Sequence, residues 1–337
     1  ACLVGSEMCI RDRMKVSLLE PLNVSQDLID RLAQPIKDLG HDFVYYSDQT
    51  SDPEELADRT GDSDIVIIAN TPYPKQAFGQ ADKLQLINVA FTGIDHVDQE
   101  AARDKGIKIA NAAGYSDQSV AEHVIGLILD LYRQISWGNQ AIRQSNFPGP
   151  SQGRVLAGKT VGIIGTGNIG LKTASLLKAF GVQFLAYSRT EKDQAKAMGV
   201  EYVSLERLLE ESDIVTVHLP HNDQTQGLLS KDKLALMKDS AILINCARGP
   251  IVDNEGLADL LNQGQLAGAG IDVFDREPPL PENYKLLQAK NTILTPHVAY
   301  LTDQAMVNRA KIVFDTTLAY LKAVSYTHLT LPTICSV

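Results

Sequence analysis

Val161-Gly162-Ile163-Ile164-Gly165-Thr166-Gly167-Asn168-Ile169-Gly170 is the stretch that decides how this chain is read. Small and apolar residues with strand character run into G-x-G-x-x-G. A helical pattern follows from Leu171 to Phe180, and Gly181 stands where a helix C-terminal glycine would. Each glycine has a physical task. Gly165 permits the tight turn out of the strand, and Gly167 leaves no Cβ between the backbone and a pyrophosphate. Gly170 lets the helix pack close to the strand, whose helix N-terminus then turns free N–H groups toward the phosphates. A second strand, Val182 to Tyr187, completes the order. The stretch therefore predicts a dinucleotide-binding unit, with Gly165, Gly167, Asn168, Ile169 and Gly170 as candidate cofactor contacts.

Working outward, the N-terminal side reads as a smaller α/β unit. Lys15 to Leu19, Asp42 to Tyr46, Asp64 to Ala69, Leu86 to Ala90 and Ile107 to Ala110 have strand patterns. Ser25 to Leu39, stopped at Gly40, and Pro53 to Arg59 have helical ones. Strands alternating with helices imply a parallel sheet wound on both sides. The loop Phe91-Thr92-Gly93-Ile94-Asp95 follows one of these strands, where such sheets bind ligands. Ser119-Val120-Ala121-Glu122 reads as a capping box that opens a helix running to about Tyr132. Its apolar residues surround the axis, which predicts burial in a core or against another subunit. On the C-terminal side, Asp213 to Leu219, Ala241 to Ala247, Ala267 to Phe274 and Thr292 to Leu294 read as strands. Each leads into residues with chemical capacity: His218-Leu219-Pro220, Cys246-Ala247-Arg248-Gly249, Asp272 with Glu277, and His297. Four adjacent strand ends carrying polar groups suggest one site facing a cofactor.

The two chain ends read differently. Met8-Cys9-Ile10-Arg11-Asp12-Arg13 can be encoded by ATG TGT ATA AGA GAC AGN. The reverse complement of that DNA gives Val-Ser-Tyr-Thr-His, which stands at Val324 to His328. Ends encoded by complementary strands of one short DNA resemble translated sequencing-library adapters. Residues 1–13 and 323–337 are therefore set aside, with Met14 as the expected start and a C-terminus expected to be truncated. About 310 residues then remain, enough for two domains. A composition 44% hydrophobic and 21% charged is that of an ordinary soluble globular protein. The net charge of −10 argues against nucleic acid as a partner, and no apolar run is long enough for a membrane span. Of four cysteines, Cys2, Cys9 and Cys335 fall in the discounted ends. Cys246 alone supports neither a disulfide framework nor a metal site, which fits a reducing cytoplasm.

Asn245-Cys246-Ala247-Arg248-Gly249-Pro250-Ile251-Val252-Asp253, then Gly270-Ile271-Asp272-Val273-Phe274 with Glu277-Pro278, then Thr295-Pro296-His297, resemble the signatures of the D-isomer-specific 2-hydroxyacid dehydrogenase family. With the glycine loop and the segments Thr92 to Asp95 and Ser119 to Glu122, the resemblance covers nearly all of Met14 to Lys322. It implies an α/β chain of two doubly wound parallel-sheet domains, a Rossmann cofactor domain inserted into a flavodoxin-like substrate domain. The expected boundaries are 14–115 with 299–322 for the substrate domain and 116–298 for the cofactor domain. Crossings near Ala113 to Ser119 and Ala299 to Asp303 would serve as a hinge.

The chemistry also follows from residue types. Oxidising a 2-hydroxy acid needs a base for the hydroxyl proton, a cation for the carboxylate and a hydride acceptor. His297 has the pKa range for the proton, and Glu277 would orient its imidazole and favour the charged form. Arg248 can grip a carboxylate through two parallel N–H bonds and polarise the C2 oxygen. The resemblance assigns these three the same roles. It further implies that backbone N–H groups near Thr92 and Gly93 receive the substrate carboxylate and that Asp272 bonds the nicotinamide carboxamide. His218, Leu219, Pro220, Thr225, Cys246, Ala247 and Ala299 join the candidate cofactor contacts, with Cys246 read as a small hydrophobe rather than a nucleophile.

One position departs from the pattern of members that prefer NAD(H). The acid expected at the end of the second strand is Ser188, followed by Arg189 and Thr190. Serine removes a charge that would repel a 2′-phosphate and Arg189 can pair with it, so NADP(H) is favoured over NAD(H). An exposed arginine beside a pocket that takes both cofactors is the alternative. Glyoxylate, hydroxypyruvate and pyruvate all suit the constellation, with Tyr73, Pro74, Phe91 and Tyr300 as candidates for the side-chain pocket. A homodimer is expected, and no metal. Two other readings stay open: a 3-phosphoglycerate dehydrogenase-type enzyme, and a non-catalytic NAD(H)-sensing protein of the same fold.

Overall fold

The structure, a computed structural model, describes residues 13–79, 81–145, 152–276 and 279–325. The chain divides into two compact units. One joins the N-terminal stretch up to Ser116 to the C-terminal stretch from Asp303, and the other is Asp117–Thr302.

The first unit holds β1 (Lys15–Leu18), β2 (Asp42–Tyr45), β3 (Ile65–Ile68), β4 (Leu86–Val89) and β5 (Lys108–Asn111). They pair in the order β2-β1-β3-β4-β5, every neighbour parallel, which is the flavodoxin-like order. β3 and β4 are buried along their whole length, and their nearly continuous apolar runs suit a sheet covered on both faces. The polar exception in them, Asn88, is held by the covering helix Asp303–Ser325 through its amide nitrogen, which donates to Val313 O at 2.8 Å and to Thr317 Oγ1 at 3.0 Å. That helix continues past Lys322 to Ser325, into the stretch the sequence reading set aside. The helix Gln26–Asp38 starts under Ser25, whose hydroxyl accepts from Leu28 N, and gives way at Gly40, φ +86°.

Tyr73 was expected to line a substrate pocket. It is instead fully buried in the core, its hydroxyl 2.6 Å from Thr60 Oγ1, and burial raises its pKa to about 12. A side chain in the core with its one polar atom satisfied has no role on a pocket wall.

The second unit holds β6 (Thr160–Ile164), β7 (Gln183–Tyr187), β8 (Val200–Tyr202), β9 (Ile214–Val217), β10 (Ile242–Asn245), β11 (Gly268–Ile271) and β12 (Thr292–Leu294). Its sheet runs β12-β11-β10-β9-β6-β7-β8, all parallel. The order reverses between β6 and β9, the switch point at whose carboxyl edge such sheets bind dinucleotides. The helix Asp117–Arg133 lies across β10, β11 and β12 and the helix Asn168–Leu177. Glycines in β11 let it approach: a Cβ on Gly270 would stand 3.0 Å from Leu127 Cβ.

Two expectations for that helix are corrected. Ser119 is not its cap but its third residue and is buried, because the helix begins at Asp117. Burial also does not surround the axis. Val120, Val124, Leu127, Ile128 and Tyr132 form the buried stripe at helical spacing, while Ile125 and Leu129 are half-exposed.

Candidate active site

The candidate residues of the second unit gather along one line, the carboxyl edge of its sheet. Parallel strands all end on the same side, so the loops after β12, β11, β10, β9, β6 and β7 follow one another in sheet order. They carry His297, Asp272, Arg248, His218, the glycine loop and Ser188 respectively.

The glycine loop is dense at its two ends and open in the middle. Gly165 has φ +100°, and a Cβ there would meet the His218 carbonyl oxygen at 2.6 Å. A Cβ on Gly170 would meet Gly165 O at 2.1 Å. At Gly167 nothing lies within 4 Å of the Cβ position. The helix begins three residues earlier in the loop than its sequence pattern suggested, at Asn168 rather than Leu171, and Gly167 caps it without a side-chain hydrogen bond. Open space and uncapped N–H groups at a helix start fit the pyrophosphate of a dinucleotide. Asp117, whose carboxyl is raised by burial, bonds the Asn168 side chain and so ties the loop to the start of the helix Asp117–Arg133.

Tyr202 was missed by sequence reasoning. From the end of β8 its hydroxyl donates to Thr166 Oγ1 at 2.9 Å and accepts from Lys192 N at 3.0 Å. It thereby fastens the glycine loop to the loop after β7, which carries half-exposed Ser188 and exposed Arg189. Arg189 Nη1 donates to Gln224 Oε1 at 3.2 Å. Across the switch point, His218 is half-buried with Nε2 3.0 Å from Thr216 Oγ1, and desolvation pulls its pKa down to about 4. The Thr225 hydroxyl is engaged in its own turn, donating to Pro220 O at 2.7 Å and accepting from Asn222 N at 2.9 Å.

Arg248 leaves the end of β10 in extended backbone, followed by the 3-10 turn Gly249–Ile251. Asn245, fully buried, sets that exit: its amide donates to Arg248 O at 3.0 Å and its oxygen accepts from Ala247 N at 3.0 Å. Gly249 has no room for a side chain, since a Cβ would fall 1.8 Å from Phe274 O. Arg248 is half-buried, its Nη1 donating to Ala247 O at 2.7 Å. Cys246 beside it carries a thiol held well above the ordinary range by burial and by the charge of Asp272, the opposite of what a nucleophile needs.

His297 follows β12 at φ +54°, a left-handed backbone uncommon outside glycine. Its N–H donates to Asp272 O at 2.9 Å, and its ring meets Tyr300 edge to face with centroids 5.6 Å apart. Asp272 is fully buried. Its carboxylate accepts from Thr295 Oγ1 at 2.6 Å, Val298 N at 2.9 Å and Ala299 N at 2.9 Å. Glu277, the expected partner of His297, lies outside the described residues.

In the first unit, Thr92 and Gly93 sit in the loop after β4. Asn111 Nδ2 donates to Thr92 O at 2.7 Å, and the buried Thr92 hydroxyl has no hydrogen-bond partner among the described residues. No metal-binding cluster and no helix long and apolar enough to cross a membrane occur among the described residues.

Residues 125–299 match the model of the D-isomer specific 2-hydroxyacid dehydrogenase NAD binding domain. The chain is 35% identical over 269 residues to a hydroxypyruvate reductase of Blautia hydrogenotrophica, covering 78% of this chain and 83% of the relative. It is 36% identical over 277 residues to a glyoxylate reductase of Thermofilum pendens, covering 80% and 81%. Among solved structures, an acyclic imino acid reductase in complex with NADPH and D-Arg superposes with a TM-score of 0.81 at 27% identity, over 92% of this chain and 97% of that one. The chain belongs to the D-isomer-specific 2-hydroxyacid dehydrogenase family. It is accordingly an oxidoreductase that works with a nicotinamide cofactor on 2-hydroxy or 2-oxo acids.

Proposed function

We propose that the chain is a reductase of a small 2-oxo acid, glyoxylate or hydroxypyruvate, that prefers NADPH. The observation carrying the reading is the placement of Arg248 and His297 on the loops after β10 and β12, on the same sheet edge as the glycine loop. Gly165, Gly167, Asn168, Ile169 and Gly170 would hold the pyrophosphate. The cofactor, when bound, supplies the hydride. Arg248 binds the substrate carboxylate with two parallel N–H bonds and draws electron density from the C2 oxygen. Thr92 and Gly93 are the substrate-binding candidates of the first unit. His297, held as the imidazolium by Glu277, gives its proton to the C2 oxygen as that carbon is reduced, and the product is the 2-hydroxy acid.

Preference for NADPH rests on Ser188 and Arg189. No carboxylate stands at Ser188, and the exposed Arg189 is free to turn from Gln224 toward a 2′-phosphate. A homodimer is supported by the helix Ile135–Arg143, which leaves Ile135, Trp137 and Ile142 exposed, and by exposed Val155. A cytoplasmic setting suits Cys246, a free thiol.

The test is the initial rate of NADPH and NADH oxidation with glyoxylate, hydroxypyruvate and pyruvate. The reading expects turnover, faster with NADPH. Cofactor binding with no turnover on any of the three would replace it with the sensor reading.

A further inference from the structure

A histidine on the helix Asp117–Arg133 has no place in the chemistry above. His123 is partly buried, its side chain 24% exposed, and its Nε2 lies 3.1 Å from Thr295 Oγ1 and 3.7 Å from Asp272 Oδ1. The neighbouring residues of the buried stripe, Val120, Val124 and Leu127, are apolar. Packing alone would be served as well by another apolar side chain at this position.

The direction of the hydrogen bonds follows from counting protons. A buried carboxylate only accepts, and a threonine hydroxyl has one proton to give. With Thr295 Oγ1 2.6 Å from Asp272 Oδ1, that proton points at the carboxylate. The hydroxyl must then accept from His123, so Nε2 of His123 carries a hydrogen. The result is a one-way chain from His123 through Thr295 to Asp272.

Asp272 in turn holds the segment that presents His297. Its side chain takes Thr295 Oγ1, Val298 N and Ala299 N, and its carbonyl takes His297 N. Pro296, between them, has no N–H to offer. The turn holds His297 at φ +54°, which its own backbone preference disfavours, so neighbouring bonds must keep it there.

We propose that His123 and Thr295 are positioning residues for His297, acting through the buried carboxylate of Asp272. Resting on the reading of His297 as proton donor, the proposal makes the helix Asp117–Arg133 part of the device that aims it. The isosteric change Thr295→Val removes one of three donors to the carboxylate and strands the His123 N–H. Loss of one buried charge-assisted bond corresponds to roughly a tenfold effect. The expected result is a kcat lower by about that factor, with the dissociation constant for cofactor, read by fluorescence titration, changed less than about twofold. Thr295→Ser keeps the hydroxyl and restores kcat. His123→Phe lowers kcat as well, and the double variant His123→Phe/Thr295→Val is no slower than Thr295→Val alone, because both changes break one chain.

A second readout does not depend on turnover. Proton–nitrogen NMR of the histidine side chains in the full-length protein should show a His123 Nε2–H protected from exchange, assigned by its loss in His123→Phe and absent in Thr295→Val. A Thr295→Val variant with normal kcat, additive effects in the double variant, or a His123 carrying its only hydrogen on Nδ1 would each overturn the proposal. A wild-type protein without 2-oxo acid turnover that keeps the Thr295-dependent Nε2–H would instead overturn the functional reading and leave the chain of bonds standing.

Discussion

The carbonyl oxygen of Gly165 lies 2.1 Å from where a Cβ on Gly170 would stand, so the two ends of the glycine loop close on each other with no space for a methyl group. The obstacle is backbone, which cannot swing aside as a flexible side chain would. Gly170→Ala is therefore expected to push the helix Asn168–Leu177 away from the loop. Overpacking of this kind costs about 1–3 kcal/mol. Thermal unfolding should shift down, and the cofactor dissociation constant should rise at least about tenfold, a loss of about 1.4 kcal/mol. An unshifted melt with unchanged cofactor affinity would show that the loop is looser than this contact implies.

Tyr202 makes a separate claim testable. Its hydroxyl bonds Thr166 in the glycine loop and Lys192 N in the loop after β7. Tyr202→Phe removes that bridge with little loss of volume, and each lost bond is worth about 1 kcal/mol. The KM for cofactor should rise severalfold while kcat stays near its wild-type value. Steady-state kinetics with cofactor varied at saturating 2-oxo acid distinguishes this from a general loss of stability, which would lower apparent kcat and leave KM unchanged.

Cofactor choice turns on the end of β7. Ser188→Asp places a carboxylate where it would repel a 2′-phosphate and bond both ribose hydroxyls. The ratio of kcat/KM for NADPH over NADH should fall by at least about tenfold, mostly through KM for NADPH, since about 1.4 kcal/mol of charge repulsion suffices. Unchanged preference would mean that the 2′-phosphate, if recognised, is recognised elsewhere.

Most of the frame was legible in the sequence. The strands carry apolar runs that local pattern exposes, and the glycine loop marks the turn from β6 into its helix. Arg248 and His297 stood out as polar residues just beyond such runs. What escaped is the support behind them. Asn245 reads as part of a strand, yet its side chain brackets the exit of Arg248. Thr295 sits two residues before His297, but its partners are Asp272 and His123, the latter 172 residues away. Tyr202 ends a three-residue strand too short for a period to register. Tyr73 failed in the other direction: an aromatic next to a loop looks like a pocket wall until Thr60 is seen to satisfy its hydroxyl. Partnerships across such distances depend on the folded sheet order, which no local pattern encodes.

The half-buried ring of His218 predicts a pH dependence of stability. Its pKa is lowered from 6.5 to about 4 by desolvation. Between those values the unfolded chain binds a proton that the folded chain does not, so stability falls as pH drops through that window. The loss is at most roughly 3 kcal/mol, at 1.36 kcal/mol per pKa unit. Urea unfolding midpoints at pH 7 and pH 4.5 should differ less in His218→Gln than in the wild type. Equal pH dependence in both proteins would place the titration elsewhere.

The central claim, that Arg248 binds the substrate carboxylate and polarises the carbonyl, is tested most directly by kcat/KM of Arg248→Ala for glyoxylate. Removing a charged contact of this kind costs about 3 kcal/mol or more, so kcat/KM should fall by at least about two orders of magnitude, with cofactor affinity retained. Near-normal kcat/KM in that variant would contradict the account.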